Sequence, residues 1–206
     1  MIFVVGFAHS GTTFLCEVLA GAGFTFSTPM DHMEDVPLRK LLFDVDAHLL
    51  RRKNGPAQCG HFHQPIREAF ARFGQAEVVK QPSFVHCLRV VLDAGVLPSR
   101  VLLAHRDLVT VLDALRDYGK YELRRARSLR IEWMQGEWAR TKEMIEKEGI
   151  PFGIVRFPRS VEDVDEIPAA LAASGYIPTP DLRLALEDTW AKWRNPNRVH
   201  FSREEA

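Results

Sequence analysis

The chain has 206 residues, a length that suits one α/β domain with a single buried core. Lys plus Arg equals Asp plus Glu at 27 each, so no overall basic field exists to attract nucleic acid or an anionic membrane. The three cysteines form no Cys-x-x-Cys pair, which predicts reduced thiols and neither a disulfide framework nor a zinc site. The N-terminal apolar run, residues 2–7, is too short to span a bilayer, and the expected location is the cytoplasm.

Short apolar runs alternate with helical patterns along the chain. The runs predict buried strands over residues 2–6, 77–80, 100–104 and 151–157. Apolar spacing predicts helices over residues 14–22, from an N-cap at Ser83 to 92, and over about 107–118, 122–148, 167–174 and 181–193. Strands that alternate with helices favour crossover units, and hence a three-layer α/β fold with a central parallel sheet, in one domain over residues 1–206. Residues 25–74 are less regular, and we expect weak helices around residues 38–50 and 65–73 to form an insertion over the sheet's edge.

The first strand leads into a glycine-containing turn with the frame of a phosphate-binding loop. Residues 6–13 read Gly-Phe-Ala-His-Ser-Gly-Thr-Thr: glycine, four residues, glycine and two small polar residues, between a strand and a helix. Glycines allow the tight turn that points successive N–H groups at an anion over the helix N-terminus. A plain strand-to-helix turn is the alternative, but the position after a buried strand and the paired threonines favour anion binding. The residues predicted to bind are Ala8, His9, Ser10, Gly11, Thr12 and Thr13.

The segment from His9 to Leu15 resembles the [Lys/Arg]-Ser-Gly-Thr-Thr/Ser loop of the P-loop sulfotransferase family, of the bacterial type. The resemblance implies a P-loop fold whose loop cradles the 5′-phosphosulfate of 3′-phosphoadenosine 5′-phosphosulfate. In that family the first loop position is a cation that stabilises the leaving group, and this chain has His9 there. Thr12 stands where nucleotide triphosphatases carry the lysine that spans the β- and γ-phosphates, which disfavours a small-molecule kinase.

A second segment of the resemblance follows the third predicted strand. Residues 101–108, Val-Leu-Leu-Ala-His-Arg-Asp-Leu, are similar to the family's strand that ends in Arg-Asp-Pro and holds the donor's 3′-phosphate. The match implies that Arg106 binds this phosphate through a charge-assisted pair. The family usually has a serine two helical turns later, where this chain has Ala114. Thr110, one turn after Arg106, is the candidate substitute.

The resemblance also covers the polar residues expected near the transferred group. Lys80 follows the second strand as a lysine does in bacterial members, and Glu34 lies in a stretch similar to the one after the family's first helix. We therefore assign catalytic roles to His9, Lys80 and Glu34, with Glu34 as first choice of base. Three histidines are alternative bases: His32, His61 and His63. Since His61 and His63 have no acidic or thiolate partner at a suitable spacing, no metal site is expected.

The resemblance implies transfer of a sulfuryl group from the nucleotide donor to a hydroxyl or amine of a small molecule. The expected partners are that donor and acceptor, without nucleic acid, membrane or metal. A nucleotide-binding module that has lost turnover is the alternative, since His9 and Ala114 depart from the family's pattern. The acceptor and the oligomeric state stay open.

Overall fold

The computed structural model describes residues 1–26, 30–31, 34–52, 56–117, 127–157 and 159–193. Within these ranges strands and α-helices alternate, and one 3-10 helix, Pro56–Phe62, precedes the third α-helix. The strands are β1 (Ile2–Val5), β2 (Met30–Asp31), β3 (Glu34–Asp35), β4 (Val78–Lys80), β5 (Arg100–His105) and β6 (Phe152–Arg156). The helices are α1 (Thr12–Gly21), α2 (Val36–Arg52), α3 (His63–Ala71), α4 (Phe84–Asp93), α5 (Leu108–Asp117), α6 (Arg127–Lys147), α7 (Arg159–Glu162), α8 (Glu166–Ala173) and α9 (Pro180–Trp193).

The strands form one sheet in the order β2-β3-β4-β1-β5-β6. The five neighbouring strands β3, β4, β1, β5 and β6 are parallel, which confirms the predicted α/β class with a parallel sheet flanked by helices. The sequence did not predict β2, an antiparallel edge strand that pairs with β3. After β1 the chain continues to β3, which lies on one side of β1 in the sheet. After β5 it continues to β6, which lies on the opposite side. In open α/β sheets this reversal opens a crevice at the carboxyl ends of the two strands, which are here β1 and β5.

Two hydrophobic clusters lie on opposite faces of the sheet and make the three layers. Helices α1, α8 and α9 cover one face, in a cluster that includes Val4 and Leu15; α2 to α6 cover the other, in a cluster that includes Phe3. Leu38 and Ile66, from α2 and α3, are fully buried in the second cluster. Helices α2 and α3 therefore contribute to the main core, whereas the predicted insertion over the sheet's edge describes only the position of β2 and β3.

The remaining differences from the predicted elements lie at element ends. Ser83 is the N-cap residue of α4, as predicted, although its side chain makes no capping hydrogen bond. Helix α6 runs from Arg127 to Lys147, and the start predicted for it at about residue 122 lies outside the described residues. No helix in the described ranges is both long and apolar enough to cross a membrane.

Candidate functional site at the carboxyl edge of β1 and β5

The loop between β1 and α1 turns sharply because several of its residues have constrained backbones. A Cβ atom on Gly6 would lie 2.5 Å from Ser10 Oγ and 2.7 Å from the carbonyl oxygen of Ala104, so only glycine fits. Ser10 N donates to the carbonyl oxygen of Phe7 at 3.1 Å, which closes the turn. His9 and Gly11 have left-handed backbones, with φ of 66° and 89°. His9 therefore holds a conformation that costs a non-glycine residue free energy, a feature that concentrates at functional sites.

The polar groups of this loop match the chemistry of an anion with several oxygen atoms. The Ser10 side chain is buried, with the residue 1% exposed, and within the described chain its Oγ atom has no hydrogen-bond partner. Gly11, at the N-cap of α1, supplies no side chain to cap the helix. A buried hydroxyl without a partner is unfavourable, and an uncapped helix N-terminus attracts negative charge. A phosphate or sulfate oxygen at this loop would correct both.

The structure brings Arg106 to the loop across the crevice between β1 and β5. Arg106 directly follows β5, and its Nη1 atom donates to the carbonyl oxygen of His9 at 3.1 Å. The guanidinium carbon lies 4.9 Å from the centre of the Phe157 ring, which follows β6. Two segments that are 97 residues apart in the sequence thus meet at one edge of the sheet. The guanidinium places a positive charge beside the loop, where an anionic ligand needs one.

Phe157 also explains why position 11, the second glycine of the loop, has no side chain. A Cβ atom on Gly11 would lie 2.7 Å from Cγ of Phe157, and the φ of 89° disfavours any side chain there. A substitution at Gly11 would therefore disturb packing against the aromatic ring. Such a variant would not test anion binding alone.

Lys80 and Glu34 form a buried ion pair next to the start of α1. Lys80 Nζ lies 3.1 Å from Glu34 Oε1 and donates to Thr13 Oγ1 at 2.8 Å. The side chains are 1% and 12% exposed, and the two residues are register partners on β4 and β3. Burial raises the pKa of the nearby Cys16 thiol to about 12, although the positive charge of Lys80 acts to lower it. Cys16 is therefore a neutral thiol at physiological pH and no candidate nucleophile.

Thr110 and Ala114, the two residues predicted to follow Arg106 in the 3′-phosphate site, lie on α5. The Thr110 hydroxyl and backbone N–H both donate to Asp107 Oδ1, at 3.1 Å and 3.0 Å. The backbone hydrogen bond from Thr110 is the main cause that holds the pKa of Asp107 below its ordinary value. Asp107 thus stabilises the start of α5, and the Thr110 hydroxyl contributes to that contact. Ala114 is half-buried on the same helix and offers only a methyl group.

The alternative bases lie in the region of α2, the 3-10 helix and α3, or outside the described residues. His61 packs against His48, with ring centres 5.0 Å apart, and His63 begins α3. His32 lies outside the described residues. No group of three or more His, Cys, Asp or Glu side chains in the described ranges is arranged to hold a metal ion.

Sequence reasoning missed a second polar group beside the loop. The ring of His86, in the first turn of α4, lies 5.8 Å from the ring of Phe7, a loop residue. Its Nδ1 atom lies 3.5 Å from Glu137 Oε2 on α6, and burial raises the pKa of Asp46 on α2, a shift that Glu137 adds to and His86 opposes. No local pattern signals this group because its members come from three separate helices.

Comparison with known proteins identified no relative of this chain. No protein-family model matches it, and neither curated proteins nor solved structures include a match. The site is therefore interpreted from its own geometry.

Proposed function

We propose that this chain is a P-loop sulfotransferase that transfers a sulfuryl group from 3′-phosphoadenosine 5′-phosphosulfate to a hydroxyl or amine of a small-molecule acceptor. The observation that carries the proposal is the meeting of the Ser10 loop with Arg106 at the crevice between β1 and β5. This is where open α/β sheets bind ligands, and the groups present are hydrogen-bond donors and a guanidinium. A donor with phosphates at both its 5′ and 3′ positions needs two such anion sites.

Each group has a role in this proposal. The loop N–H groups and the Ser10 hydroxyl bind the 5′ end of the donor, and Arg106 binds the 3′-phosphate. Lys80 is held at the loop by its hydrogen bond to Thr13 and adds positive charge beside the transferred group. His9 lies at the position of the leaving-group cation in the resembling family. In a loose, in-line transfer, positioning and charge stabilisation of this kind supply most of the catalysis.

One observation favours a second candidate, a module that binds the same nucleotide without turnover. Lys80, one of the cations assigned to catalysis, is paired with Glu34 at 3.1 Å. That pairing neutralises charge which the transition state would otherwise use. Adenosine 3′,5′-bisphosphate binding is expected of both candidates, and only release of the sulfuryl group separates them.

Ser10 offers a test in which binding and stability change in different directions. Ser10→Ala removes a buried hydroxyl without a partner in the described chain, so we expect stability to be unchanged or higher. The same change should weaken adenosine 3′,5′-bisphosphate by about 0.5–1.5 kcal/mol, as measured by calorimetry. Ser174→Ala is the control: its hydroxyl donates to Leu171, so this variant should lose stability and keep its affinity.

Thermal-shift measurements with three nucleotides test the choice of donor class. We expect adenosine 3′,5′-bisphosphate to raise the melting temperature more than ATP or GTP at equal concentration. A response to ATP alone would contradict the proposal and favour a kinase. No response to any of the three would contradict nucleotide binding itself.

A further inference from the structure

The ring of Phe157 lies at the sheet edge where β5, β6 and the loop after β1 come together. Phe157 directly follows β6, and its backbone N–H donates to the carbonyl oxygen of His105 at 2.7 Å, which continues the pairing of β6 with β5. On the loop side Gly11 makes room for the ring, because a Cβ atom there would lie 2.7 Å from Phe157 Cγ. The ring of Phe14 on α1 lies 6.0 Å away. The half-buried Phe157 ring is thus held by the sheet, the loop and the helix.

Two contacts restrain the Arg106 guanidinium in different ways. Its carbon atom lies over the Phe157 ring, 4.9 Å from the ring centre, and this cation–π contact opposes movement of the charge away from the ring. Its Nη1 atom donates to the carbonyl oxygen of His9 at 3.1 Å, which opposes rotation of the group. A guanidinium is planar and its five N–H donors have fixed directions. The two contacts therefore also orient the donors that they leave unused.

An arginine that is ordered before its ligand arrives binds that ligand more tightly than a mobile one. Ordering a long side chain costs conformational entropy, and an arginine already ordered in the folded protein does not subtract that cost from binding. Arg106 is the group assigned above to the 3′-phosphate, whereas the 5′ end is assigned to the loop N–H groups and the Ser10 hydroxyl. The order of Arg106 should therefore matter only for a ligand that carries the 3′-phosphate.

We propose that Phe157 is a positioning residue that sets the preference for a 3′-phosphorylated nucleotide, an inference that rests on the proposed sulfotransferase function. The ring acts through Arg106, whose guanidinium it holds in the orientation that binds the 3′-phosphate, and not through contact with the nucleotide. An aliphatic side chain at position 157 would occupy the space beside Gly11 without attracting the cation. Selectivity between nucleotides, and not affinity in general, should therefore depend on the aromatic ring.

Calorimetry with two nucleotides tests this role. In Phe157→Leu, affinity for adenosine 3′,5′-bisphosphate should fall about 3–10-fold, the size of one cation–π contact, while affinity for adenosine 5′-phosphate stays unchanged. Phe157→Tyr keeps the ring and should keep the wild-type ratio of the two affinities. Phe14→Leu is the matched control, the same change in the neighbouring ring on α1, and should also keep that ratio. An unchanged ratio in Phe157→Leu, or an equal loss for both nucleotides, would overturn the inference.

A double-mutant cycle tests whether Phe157 acts through Arg106. Arg106→Ala removes the group that Phe157 is proposed to position, so adding Phe157→Leu to Arg106→Ala should cause no further loss of selectivity. A further loss as large as the one in the wild-type background would show that the ring acts independently of Arg106. That result would overturn the inference even if Phe157→Leu alone behaves as expected.

A spectroscopic measurement on the wild type needs no ligand and stays decisive if Phe157→Leu does not fold. Protons over the face of an aromatic ring are shielded, so the Arg106 Nε–H signal should lie upfield of the other arginine signals. Arg106→Lys assigns that signal by removing it, and Phe157→Tyr should preserve its position. An unshifted Arg106 signal in the wild type would overturn the inference. If the wild type shows the shift but does not bind the bisphosphate, the proposed function fails and the inference fails with it.

Discussion

Lys80 at the end of β4 donates a hydrogen bond of 2.8 Å to the hydroxyl of Thr13 in the first turn of α1. The same ammonium lies 3.1 Å from Glu34, the first residue of β3. One buried cation thus connects two strand ends with the helix that follows the candidate loop. Any change at Lys80 therefore acts on loop position as well as on charge.

Replacing Lys80 by methionine should destabilise the protein strongly. Within the described residues, the change leaves the buried Glu34 with only its longer contact of 3.8 Å to Arg39, and loss of one member of a buried pair costs about 3–5 kcal/mol. Adding Glu34→Gln to Lys80→Met should recover most of that loss in urea unfolding. Lys142→Met removes an exposed pair with Glu146 and should cost less than about 1 kcal/mol. Equal losses for Lys80→Met and Lys142→Met would contradict a buried pair.

Arg106→Ala should weaken adenosine 3′,5′-bisphosphate more than adenosine 5′-phosphate. Loss of a hydrogen bond to a charged group predicts a difference of about 1.5–3 kcal/mol between the two ligands in calorimetry. Arg100→Ala is a matched control, since Arg100 lies at the other end of β5 and donates to the carbonyl oxygens of Ser174 and Gly175. Equal losses for the two ligands would show that Arg106 acts only through its contact with the His9 carbonyl.

At position 9, backbone strain and side-chain chemistry can be separated. The φ of 66° suits glycine, so relief of strain in His9→Gly should offset the added entropy of the unfolded chain. Stability should then stay within about 1 kcal/mol of wild type. Under the proposed function, sulfuryl transfer should fall in His9→Gly and rise in His9→Arg, which introduces the cation found in the resembling family. Wild-type rates in His9→Gly would remove the imidazole from the mechanism.

Asp107 should make the stability of α5 depend on pH. Hydrogen bonds from Thr110 lower the pKa of Asp107 in the folded state, so its contribution is present above the ordinary carboxyl pKa and lost as pH falls toward the folded value. Asp107→Ala should cost about 1 kcal/mol at neutral pH, as for a lost N-cap. In urea unfolding this difference should shrink below about pH 4. Asp44→Ala, at an exposed position within α2, is the control, and a difference independent of pH would contradict the cap.

The four longer strands were predictable because fully buried parallel strands are short, continuous apolar runs. Strands β2 and β3 were not, since each has two residues and β3 consists of Glu34 and Asp35. The burial of Glu34 depends on Lys80, which lies far away in the sequence, and local sequence patterns carry no information on that pairing. Asp35 has a local partner, because its Oδ1 atom accepts the backbone N–H of Leu38 at 2.7 Å before the first turn of α2.

The candidate site was predictable to a similar extent. Its loop is one continuous segment with a recognisable spacing, and Arg106 follows a strand whose direction was clear. The proximity of His86 to Glu137 was not predictable, because the two residues are 51 positions apart in the sequence and meet only when α4 packs against α6. Nor does the sequence show that Phe157 would fill the space beside Gly11.

The central position of β1 has a consequence for synthesis of the protein. Ile2–Val5 leaves the ribosome before either neighbouring strand, yet β1 pairs with Val78–Lys80 and Arg100–His105. Its four apolar side chains have no strand partners until those residues follow, and an unpaired apolar strand promotes aggregation. The strand partners of β1 are thus complete only once residue 105 has been translated.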